Sequence, residues 1–87
     1  MKLADTVEMM NSADYKDRFK AEYYQLKCRA CGLSNMLGAW HNDKLDFEPT
    51  CPRSTYDLQL RAMRDYMAIL EMRAVMEHIE LDITLTN

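Results

Sequence analysis

Glycine and proline are nearly missing from this chain, with two of each in 87 residues. A fold built on many tight turns needs more of both, so a turn-rich all-β architecture is excluded. No run of 18 apolar residues occurs, and no membrane-spanning helix is expected. The phosphate-cradling GxxxxGK[ST] loop, the dinucleotide GxGxxG, the metalloprotease HExxH and the nucleophile elbow GxSxG are all missing. No feature of the sequence therefore points to an enzyme. A basic surplus is also lacking: 11 Lys and Arg stand against 14 Asp and Glu, a formal charge of −3. That argues against direct DNA binding but leaves room for a basic pocket that takes a small anion. Met1-Lys2-Leu3-Ala4-Asp5 has no apolar stretch of the export-signal kind. The three cysteines, an odd number, are expected as reduced thiols in a cytoplasm.

What remains is apolar and helical. Hydrophobic residues make up 48% and charged residues 29%, a globular balance. One domain, 1–87, is expected. A core this small is marginal alone, which points to a partner or self-association. Leu3, Val7 and Met10 predict a short helix over about 3–10. Ser12 is positioned to cap a second helix over about 13–41. Its apolar residues, Phe19, Tyr23, Leu26, Ala30, Leu33, Leu37 and Trp40, follow steps of 4 and 3, the spacing of a helix seam. Gly38 is a candidate for its true end. A loop over about 42–51 follows, carrying Pro49, with Leu45 and Phe47 expected to pin it to the hairpin. Pro52 or Ser54 starts a third helix, expected to run to about Leu81.

That third helix carries two seams. Tyr56, Leu60, Met63, Met67, Leu70 and Ala74 form one. Leu58, Ala62, Tyr66, Ile69, Met72, Met76 and Ile79 form the other. One partner helix cannot cover both. The expected fold is therefore all-α, an antiparallel hairpin of two long helices with a short N-terminal helix, assembling into a helical homo-oligomer through Leu58, Ala62, Tyr66, Ile69, Met72 and Met76. The tail 82–87 alternates weakly and is left without an assignment.

Two polar constellations stand out. Cys28, Cys31, His41 and Cys51 supply enough ligands for a tetrahedral zinc site. Cys28 and Cys31 sit inside an unbroken helical pattern, however, and His41 lies roughly 15 Å further along it. Small buried thiols are the expectation, with no metal and no cofactor. The second constellation is a stripe beside the seam, Lys16, Lys20, Tyr24 and Lys27, at steps of 4, 4 and 3. Arg53, Arg61 and Arg64 follow on the third helix. Cations for phosphates with a Tyr for base stacking would suit a phosphorylated small molecule. The plainer alternative is a solvated face with helix ion pairs.

Residues 4–26, including Glu8-Met9-Met10-Asn11-Ser12 and Arg18-Phe19-Lys20-Ala21-Glu22-Tyr23-Tyr24, resemble a widespread family of small tailed-phage proteins named after a crAss-like phage. Pro49-Thr50-Cys51-Pro52, Gln59, Ala62-Met63, Tyr66, Leu70-Glu71 and Arg73-Ala74 extend the resemblance over most of the chain. The sequence departs from that family's pattern at residues 28–32, where its relatives carry apolar, Arg and aromatic residues. That further weakens a metal role for the Cys28–Cys31 pair. The order of long helix, proline-bearing loop and second long helix is also similar to the helical-hairpin sponges with which phages trap the cyclic nucleotides of CBASS or Thoeris defence. This likeness implies an oligomer that traps a nucleotide between subunits without chemistry. The expected function is a non-catalytic antagonist of host defence in the cytoplasm of the infected bacterium, with the phosphates of a cyclic nucleotide held by Lys16, Lys20, Lys27, Arg53 and Arg61 and a base stacked on Tyr24. The alternatives are an anti-CRISPR-like inhibitor that binds a host defence protein, and a helical oligomer that is structural or regulatory and takes no ligand.

Overall fold

The computed structural model describes residues 1–82 and is all-helical there. A 3₁₀ turn, Leu3–Thr6, runs directly into a one-turn helix α1, Val7–Met10. Two long helices follow, α2 over Tyr15–His41 and α3 over Arg53–Met76. The tail assignment falls, beyond Asp82, outside the described residues.

Local chemistry sets the ends of both long helices. Asp14, and not Ser12, is the N-cap of α2: its backbone is extended and its carboxylate accepts the Lys16 N–H at 2.9 Å. Ser12 stands two residues earlier. Its hydroxyl accepts the Asp14 N–H at 3.1 Å and donates to Asp17 at 2.8 Å. The helix passes through Gly32 and Gly38 without breaking, and ends only after His41. There Asp43 turns to φ 54, and the Lys44 N–H reaches back to the Ala39 carbonyl at 2.8 Å.

The same device ends α3 at Met76, five residues short of the expected Leu81. His78 takes φ 59, and the Ile79 N–H bonds the Ala74 carbonyl at 2.8 Å. Left-handed residues just past a helix, with this back-bonding, stop it and redirect the chain. The seam position Ile79 is consequently not on the helix's outer face. It is turned inward and buried beside Ala74.

The two long helices are antiparallel and meet along the expected seams. One cluster, near the chain termini, holds Phe19, Tyr23, Tyr24, Leu70, Ala74 and Ile79. A second, near the connecting loop, holds Ala30, Leu37 and Leu60, with Trp40 and Tyr56 edge-to-face at 6.1 Å. Leu45 is half-buried, but Phe47 is exposed and does not pin the loop. The N-terminal segment packs on α2 alone. Thr6, fully buried, ties it down: its hydroxyl donates to the Leu3 carbonyl at 2.7 Å and accepts from Gln25 at 3.0 Å.

Phenol–carboxylate clips cross the hairpin. Tyr23 donates to Glu71 at 2.8 Å, Tyr15 donates to Glu77 at 2.6 Å, and Tyr66 donates to Glu22. Arg73 closes the Tyr15 clip, donating to its hydroxyl at 2.9 Å and to Glu77 at 3.0 Å while lying 5.0 Å over the Phe19 ring. No described helix is long and apolar enough to cross a membrane.

Candidate functional site

The clearest meeting of cations lies midway along the hairpin, between the two core clusters. Ala30, Cys31 and Ser34 are small side chains on one side of α2, and they leave a concavity of about 200 Å³ against Met67 of α3. Lys27 and Asn35 line it from α2 and Arg64 from α3. Opposed cations from two helices, with hydroxyl and amide groups between them, make a cradle for an anion. Arg61 stands one turn before Arg64 and is exposed. No ion pair or hydrogen bond engages Arg61 or Arg64 among the described residues.

The other residues of the sequence-predicted site are dispersed. Lys20 and Lys16 lie on the same flank of α2 as Lys27, roughly 10 and 16 Å further toward its start. Lys16 reaches the His78 carbonyl at 3.5 Å. Arg53 sits at the opposite end of the hairpin, 5.6 Å over the Trp40 ring and 4.0 Å from Asp57. Lys16 and Trp40 are 24 residues apart on one helix, roughly 36 Å. No small ligand spans Lys16 and Arg53 within one chain.

Tyr24 is not a stacking platform either. It is 8% exposed, its ring stands edge-on to Tyr23 at 5.9 Å, and its hydroxyl accepts the Asp82 N–H at 3.0 Å. The cause is the early end of α3. The turn at His78 sends residues 79–82 back over α2, where they cover the ring. Arg64 belonged to the cationic set read from the sequence but not to the residues assigned to the ligand, and Ser34 and Asn35 were not singled out at all. The signal that could have found them is the group of small residues at 30, 31 and 34 between bulky Leu26 and Leu37.

The cysteines do not converge. The Cys28 thiol donates to the Met1 carbonyl at 3.1 Å, Cys31 lines the groove and Cys51 lies in the loop. Among the described residues no three His, Cys, Asp or Glu side chains are placed to hold a metal ion. A second concavity, about 490 Å³ and wide open, lies at the loop between Trp40, Leu45, Phe47 and Pro49, with Asp43, Asp46 and Glu48 around it.

The model of the family described as Sequestin matches residues 13–76, and the chain belongs to that family. The matched span holds α2, the loop and α3, and so contains the whole Lys27–Arg64 groove. It omits the N-terminal segment and the residues that fold back after α3. No curated protein and no solved structure was found to match.

Proposed function

We propose that this member of the Sequestin family is a phage-encoded antagonist of host defence, which binds and sequesters a cyclic nucleotide signal in the cytoplasm of the infected bacterium without catalysis. The observation that carries this reading is the groove in which Lys27 and Arg64 face one cavity from two helices beside Ser34 and Asn35. The family's name is in keeping with a trap. The concavity is smaller than the roughly 300–1,000 Å³ of ordinary ligand pockets. It suits one phosphate and its sugar, with Arg61, Lys20 and Lys16 extending the cationic flank to further phosphates.

Calorimetry against a panel of cyclic mono-, di- and trinucleotides tests this. At least one should bind with Kd below about 100 µM, the low-affinity end of specific recognition. Lys27→Ala or Arg64→Ala should weaken it roughly 10- to 100-fold, the worth of a charge-assisted hydrogen bond. Lys2→Ala should leave it unchanged, and raising salt should weaken it through screening. No binding across the panel refutes the reading.

The acidic, aromatic loop favours a second reading, inhibition of a host defence protein, because Phe47 is 53% exposed beside Asp43, Asp46 and Glu48. A host protein that is retained by the wild-type chain and lost with Phe47→Ala would support it.

A further inference from the structure

Trp40 and Phe47 supply aromatic surface to the open space of about 490 Å³ at the loop, and Asp43, Asp46 and Glu48 stand around it. All three carboxylates are exposed. No ion pair or hydrogen bond among the described residues engages them. In this they differ from Glu22, Glu71 and Glu77, each held by a tyrosine across the hairpin. The loop carries one compensating cation, Lys44, whose side chain does not line the space. Helix α2 ends beside it at His41, and the negative end of the helix dipole adds to the local field.

We infer that the loop concavity binds an arginine side chain from a basic segment of a partner protein, with the guanidinium over the Phe47 ring and paired with the carboxylates. This deepens the second reading above, contact with a protein through the loop, and rests on it.

The chemistry of the lining selects the occupant. An anion is repelled by three carboxylates. A metal ion needs ligands that converge on one point, and no three acidic side chains do so among the described residues. Carboxylates spread around an aromatic space suit a broad, planar cation that donates in several directions. The rim already holds one such group. The Arg53 guanidinium lies 5.6 Å over the Trp40 ring. Its carboxylate neighbour is Asp57, 4.0 Å away on its own helix, so Arg53 leaves the loop acids uncovered. Phe47 is 53% exposed, and no cation of the described residues lies over its ring. Arginine and aromatic side chains are enriched where proteins meet. Because the space is open, each pairing is weak and screened by salt.

Trp40 is the chain's one tryptophan, so its fluorescence reports on this site. Titration with a five-residue peptide carrying two arginines between glycines should give a saturable change, with Kd below about 1 mM. The same peptide with citrulline, the uncharged isostere of arginine, should bind at least about fivefold more weakly. The lysine version keeps the charge without the planar face and should lose about twofold or more. Asp43→Asn combined with Asp46→Asn and Glu48→Gln should weaken the arginine peptide at least about fivefold. Asparagine tolerates the left-handed backbone of Asp43, at φ 54, so helicity should be retained. Phe47→Leu keeps the apolar bulk and should still cost about two- to fivefold.

No saturable signal, equal binding of the citrulline or lysine peptide, or an unchanged affinity in the triple variant overturns the inference. A signal that magnesium ions reproduce, or that grows with protein concentration alone, also overturns it by putting a metal or a second copy in the space. The inference and the reading beneath it fail separately. A host protein that needs Phe47 but is retained by the triple variant leaves the loop a protein-binding surface and removes arginine from it.

Discussion

The two long helices are near-equals in length, 27 and 24 residues, yet they are used differently. Helix α2 buries six side chains and α3 three. Helix α2 is the centre of the molecule: α3 packs on one face, the N-terminal segment on another, and residues 79–82 fold back beside it. Helix α3 has one covered face and one bare one. The contrast shows that an apolar seam guarantees a contact surface, not a contact within the chain. Covering segments reach α2 because the turns at residues 11–14 and at His78 aim them there.

The sharpest test of that contrast compares adjacent residues of α3. Leu70 is 1% exposed and Ile69 49%. Leu70→Ala should cost about 2–5 kcal/mol, transfer plus cavity. Ile69→Ala should stay within about 0.5 kcal/mol. Urea unfolding at the lowest workable protein concentration, where the protomer dominates, checks both. Equal losses would mean that the outer face is covered in the protomer.

The clips that hold α3 to α2 come next. Burial, and then the bond to Glu71, push the Tyr23 phenol well above its ordinary range. Tyr23→Phe strands that carboxylate and should cost about 1.5–3 kcal/mol, the value of a hydrogen bond to a charged group. Thermal or urea unfolding measures it.

The Tyr15–Glu77 clip should appear as pH dependence. The hydrogen bond from Tyr15, with help from Arg73, holds Glu77 below its ordinary 4.5. A carboxylate lowered in the fold contributes stability above that value and loses it as pH falls through the folded pKa. The same bond raises Tyr15 above 10.0. A phenol raised in the fold contributes stability below pH 10 and loses it as pH rises further. The unfolding midpoint should therefore fall on both the acid and alkaline flanks, and Tyr15→Phe should make both falls shallower, with Tyr23 keeping its own share of the alkaline one. An unchanged profile in that variant would remove the clip from the account of the open end.

The smallest effects separate the helix interior from the helix end. Added Cβ atoms at Gly32 and Gly38 would meet nothing within 4 Å, so each Gly→Ala change should stabilise α2 by about 0.5–1 kcal/mol. His78, at φ 59, calls for the opposite substitution. His78→Gly should stabilise the end of α3 by about 0.5–1 kcal/mol, because glycine adopts that backbone conformation without strain. Paired melting curves would show both gains.

Much of the hairpin was legible in one dimension. Every residue of the two inner seams, from Phe19 to Trp40 and from Tyr56 to Ala74, is buried or half-buried. The helix ends were less legible. Asp43 and His78 are not glycine, so neither marked the left-handed turn that stops its helix. The six candidate ligand residues were chosen by spacing along single helices, which says nothing of what the other helix places opposite. Lys27 gained Arg64, Arg53 turned to Trp40, and Tyr24 was covered.

The sequence by itself determined the two helices, their inner faces and the surplus apolar face of α3, because 3.6-residue periodicity is a local property that needs no partner. Only the tertiary structure decided which cations share a groove, that Tyr24 is buried, and that the N-terminal segment sits on α2 and leaves α3 bare. Those outcomes depend on the alignment of two antiparallel helices and on the turn at His78, where one residue's backbone conformation redirects the chain.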